Sequence, residues 1–146
     1  MQAHAAHNTL VTLAPILLFS WLRRRETSAR GLGTTICGCQ MIFYGITLHW
    51  AYQYLAWSIP LWFFVGPGFT AAATAVIGAF VYGLYAYLCG SPLLLGIWNS
   101  RGHPFWPTPI VWLRDAAVLF CFGAAAVFFG RAVGREWRFA AEREET

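Results

Sequence analysis

The chain has 146 residues, 58% hydrophobic and 11% charged, with a formal net charge of +4. A soluble domain ordinarily carries about a quarter charged residues, so the composition argues for an all-α integral membrane protein. The positive charge does not point to nucleic acid. Most of the arginines are divided between a short loop and a tail that carries equal acid, with no basic stripe and interleaved aromatics to follow phosphates.

The first predicted element covers residues 3–22, an uncharged run that ends against Arg23, Arg24 and Arg25. It is long enough to cross a bilayer core of about 20 residues, although His4, His7, Asn8 and Pro15 interrupt it. The arginines follow the apolar run, which is the wrong order for a cleaved secretory signal.

Between Arg30 and Arg101 lie 70 residues without Asp, Glu, Lys or Arg. The second predicted element, about 33–57, opens this block. Cys37 and Cys39 stand in it as a Cys-x-Cys pair. Residues two apart on a helix point about 200° away from each other, so the pair does not chelate one ion. These two and Cys89 and Cys121 read as small buried thiols. His49 is the one candidate for a cofactor ligand, since a membrane-helix histidine can ligate haem or a chlorophyll magnesium. No second histidine lies one span away on this element, and a hydrogen bond to Gln53 or a tyrosine serves His49 equally. No cofactor and no metal are assigned.

Pro60 and the triplet Gly66-Pro67-Gly68 then break the helix. The third predicted element, 69–89, stops at Gly90-Ser91-Pro92. It carries Ala71, Ala75, Ala79 and Gly83 at every fourth position, a spacing that lets helix backbones approach closely. Enlarging Ala75 or Ala79 to leucine is expected to disrupt that packing. After a loop holding Arg101 and His103, Thr108-Pro109 starts the fourth element, 109–130, with a capping residue followed by a helix-starting proline. Ala126, Gly130 and Gly134 repeat the every-fourth spacing there.

These readings divide the chain into a four-span transmembrane domain, 1–130, and a charged tail, 131–146, that continues as an exposed helix. Threading the 70-residue block three times gives five spans and places the arginine loop and the tail on one side, as positive-inside counting prefers. That alternative runs a helix through Gly66-Pro67-Gly68, where proline costs about 3 kcal/mol or more. Four spans also sort the tryptophans and tyrosines into two interfacial belts. The arginine loop at 23–30 then faces the cytoplasm or matrix.

Arg114 and Asp115 open the longest charge-free stretch of the fourth element. Asp115 finds no charged partner at helical spacing in its own helix, so an interfacial pair with Arg101 or with the arginines at 23–30 is expected. His49 is expected near the opposite interface, out of hydrogen-bonding reach of Asp115.

No residues cluster as nucleophile, acid–base pair or metal ligands at a useful spacing. The pattern therefore suggests an accessory, non-catalytic subunit of a multi-subunit energy-transducing membrane complex, respiratory or photosynthetic, in a bacterial or organellar inner membrane. Its partners would be other membrane subunits and lipids, and the charged tail would dock on one of them. A small homo-oligomeric transporter or channel is the alternative.

Overall fold

The computed structural model describes the backbone of residues 2–46, 53–96 and 106–144, and the side chains of 9–46, 55–96 and 106–143. Six helices are described: α1 Gln2–Leu22, α2 Ala29–Ile46, α3 Gln53–Trp57, α4 Ile59–Val65, α5 Pro67–Cys89 and α6 Thr108–Glu144.

Local chemistry sets several of the ends. Ser58 separates α3 from α4 and donates its hydroxyl to Leu55 O at 2.6 Å, while Pro60 occupies the first turn of α4. Gly66 has φ 139°, a conformation that side chains resist, and Pro67 starts α5 with its φ already helical. At the other end of α5, Gly90 is left-handed with φ 64°. Its N–H reaches Tyr87 O at 3.1 Å, and the Ser91 N–H reaches Ala86 O at 3.0 Å. This satisfies carbonyls that the helix end leaves open.

The chain doubles back between α2 and α4. Arg30 Nε and Thr34 Oγ1 both donate to Phe64 O at 3.3 Å, which brings the end of α4 to the start of α2. The 70-residue block is therefore traversed three times: by α2, by the α3–α4 pair and by α5. The objection to a third traverse assumed a helix running through Gly66-Pro67-Gly68. The chain instead reverses there, because the glycine supplies the turn and the proline the restart.

One core lies among these helices. Phe19 of α1, Met41 of α2, Leu55 of α3, Trp62 of α4, Ile77 and Phe80 of α5 and Cys121 of α6 are all buried in it. The four-span transmembrane bundle is therefore corrected to a six-helix bundle. Among the described residues, two helices are long and apolar enough to cross a membrane, Pro67–Cys89 and Thr108–Arg143. The expected span at 33–57 is divided between α2 and α3, and five- and seven-residue helices such as α3 and α4 reach only about 8–11 Å at 1.5 Å per residue.

The physical reason is that composition counts apolar residues without saying what covers them. A large share of those assigned to lipid cover one another. The membrane, inner-membrane, electron-transport and respiratory-chain assignments rested on four spans and lose that support.

The tail continues as a helix, as expected, and part of its charge is engaged by this chain. α6 continues unbroken past residue 130 to Glu144, and its last part is held by this chain. Glu136 accepts from Arg24 at 3.2 Å, Arg135 pairs with Glu26, and the Arg25 guanidinium stands 5.6 Å from the Phe139 ring centre.

Candidate functional site

The arginine end gathers the polar chemistry of the bundle. The turn after α1 places Arg23 inward, where its side chain is nearly buried. Its Nε donates to Thr35 Oγ1 at 3.1 Å and its Nη2 to Gly31 O at 3.2 Å. Its Nη1 lies 3.1 Å from Glu26 Oε1. Burial pushes this guanidinium below its ordinary pKa; Glu26 opposes that shift and Arg135 adds to it. An arginine stays charged through such a shift, and its hydrogen bonds compensate the burial.

Arg23, Arg30, Arg131, Arg135 and Glu26 line a cavity of about 360 Å³ walled by Phe19 and Phe64. A second cavity of about 510 Å³ adjoins it, formed by Gly66, Pro67, Gly68, Leu119 and Gly123 among others. Val65, Phe128 and Arg131 belong to both. Glu26 is committed to Arg23 and Arg135. Arg131 has no ion pair or hydrogen bond among the described residues.

Sequence reasoning missed this site because its members come from three separate stretches of chain. The one available signal was Arg131 and Arg135, four residues apart on a helix and so on one face.

Cys37 and Cys121 are completely buried. Burial, with smaller additions from neighbouring thiols, pushes each up to about 12. The thiolate is the reactive form, so neither is poised as a nucleophile. Among the described residues, no three His, Cys, Asp or Glu side chains group as metal ligands.

Arg114 and Asp115 pair with each other. Arg114 Nε and Nη2 approach Asp115 Oδ1 at 2.9 and 2.7 Å, and both side chains are about half exposed. The expected partners of Asp115 were more distant arginines. The long arginine side chain instead folds around the helix to its neighbour. An exposed pair of this kind contributes about 0–1 kcal/mol. His49 and Arg101 lie outside the described residues, and so does the expected separation of His49 from Asp115.

Ala71, Ala75 and Ala79 are exposed on α5, while Gly83 at the end of the row turns toward α6. A Cβ on Gly83 would lie 3.0 Å from Leu113 Cδ1. Ala126 and Gly130 are exposed as well, and a Cβ on Gly130 or Gly134 would meet nothing within 4 Å. Small residues on α2 admit closer neighbours than Gly83 does. A Cβ on Gly38 would stand 2.5 Å from Phe19 Cε1, and one on Gly45 would stand 2.9 Å from Phe122 Cα.

The outer face of α1 carries another uncovered row. Leu10, Leu13, Leu17 and Trp21 are 66%, 46%, 65% and 56% exposed. Spacings of three and four residues put them on one side of the helix.

No protein-family model matches the chain, and comparisons with curated proteins and with solved structures return no match.

Proposed function

We propose that this chain is an accessory, non-catalytic subunit that packs against other chains of a larger assembly. One observation carries the reading: the exposed row Leu10, Leu13, Leu17 and Trp21 along α1. Contiguous exposed apolar surface marks an interaction site. Anchors three, four and seven residues apart are how one helix seats in the apolar groove of another protein. The opposite side of α1 is already used, with Phe19 in the core. The outer row is therefore spare surface on a helix whose place in the bundle is secured. Arg135 and Glu136 of α6 are paired within the chain, so docking is assigned to α1 and not to the tail.

The test is native purification after gentle extraction, followed by mass determination and subunit identification. The expected result is a particle of defined composition containing other chains. Leu17→Arg should detach this chain from it without lowering its thermal midpoint, since Leu17 is outside the core. A particle containing this chain alone, or one in which Leu17→Arg changes nothing, overturns the proposal.

A further inference from the structure

The two adjoining cavities differ in chemistry in a way that suits one ligand. The first has four arginines and one glutamate on its walls, so three positive charges lack a matching carboxylate there. The second presents Phe69, Leu119, Phe120 and Val127. Its glycines keep it open: a Cβ on Gly66, Gly68 or Gly123 would meet nothing within 4 Å. Arg131 stands where the two meet and is unpaired among the described residues. Both volumes fall within the roughly 300–1,000 Å³ of small-molecule sites.

We infer that the two cavities form one binding site for a single-chain anionic amphiphile, with its head against Arg131 and Arg30 and its alkyl chain beside Gly123 and Val127. The head must carry negative charge, because guanidinium groups recognise phosphate and carboxylate by charge-assisted hydrogen bonds. An inorganic anion would leave the apolar groove unused, and a neutral alkyl chain would leave Arg131 unmatched. Arg23 and Arg135 take no part in holding the head, since Glu26 already engages both. They set the positive potential around it. This site is separate from the outer row of α1, so it stands or falls independently of the assembly role.

The experiment is calorimetric titration of the full chain, held in a nonionic amphipathic polymer that forms no micelles, with octyl phosphate, inorganic phosphate and octanol. Octyl phosphate should bind on the order of a hundredfold tighter than either of the others, since each of them retains only one half of the recognition. Arg131→Gln should weaken octyl phosphate about tenfold or more, the size of one charge-assisted hydrogen bond. Gly123→Leu should fill the groove and weaken octyl phosphate while leaving inorganic phosphate unchanged. Arg131 has no hydrogen bond or ion pair to lose among the described residues, and a Cβ on Gly123 meets nothing within 4 Å, so an unchanged thermal midpoint certifies the fold of each variant. Equal affinity for octanol and octyl phosphate overturns the inference. So does inorganic phosphate binding as tightly as octyl phosphate, or an Arg131→Gln variant that binds like the parent.

Discussion

Gly31, Gly38 and Gly45 on α2 and Ala71, Ala75 and Ala79 on α5 are both rows of small residues at helical spacing. The α2 row repeats every seventh residue, which holds it to one side of the helix with a drift of about 20° per repeat. It looks onto bulky neighbours: Glu26 at Gly31, the Phe19 ring at Gly38 and the Phe122 backbone at Gly45. The α5 row looks outward. The inward side of α5 carries Ala73, Ile77, Phe80, Leu84 and Leu88, whose side chains fill the core. Small residues thus mark a close crossing only where another element supplies something large to receive. Where both sides of a helix are apolar, size and not polarity separates the inner face from the outer.

The sharpest way to break this comparison is Gly45→Ala. The new Cβ would stand 2.9 Å from Phe122 Cα and 3.0 Å from its backbone N. Backbone cannot rotate aside as a side chain can, so α2 and α6 must separate locally. The expected loss is about 1–3 kcal/mol, the usual cost of overpacking, measured by denaturant unfolding. An unchanged midpoint would mean that the α2 seam is no tighter than the α5 face.

A smaller effect of opposite sign tests the open side of α6. Gly130→Ala adds a methyl group where nothing lies within 4 Å, and alanine is the better helix former. A gain of about 0.5–1 kcal/mol is expected. A loss would show that the outer face of α6 is covered after all.

The smallest effect belongs to the α5 row. Ala75→Leu, expected from spacing to force helices apart, should instead change stability by less than about 0.5 kcal/mol, because the site is exposed and surface changes are usually that mild. In a chain of this length that is a shift of about 2 °C or less in thermal midpoint. A loss of several degrees in the isolated chain would return the α5 row to the packing role that its spacing suggested.

Some of this was legible in the residues. Arg23 follows the last residue of α1, Gly90 follows the last residue of α5, and Thr108-Pro109 begins α6. Gly66-Pro67 could be read as a break, but not as a reversal: φ preferences are local, whereas the direction of the next helix depends on what it packs against. The neighbour pairing of Arg114 with Asp115 escaped a reading by helical spacing, because that reading treats each side chain as a fixed vector. A guanidinium on a flexible stem is not one.

The candidate site was the least legible part. Arg30, Arg131 and the glycines at 66, 68 and 123 become neighbours only when α2, α4, α5 and α6 meet. What the sequence by itself determined is helical structure, the main breaks and an unusual excess of apolar side chains, because these follow from backbone sterics and composition. What tertiary structure alone decided is which apolar residues cover one another and which are left over. That choice depends on size complementarity between helices distant in the chain: Gly45 against the backbone at Phe122, Gly38 against the ring of Phe19. It therefore also decided where Arg131, unpaired among the described residues, comes to border an apolar groove.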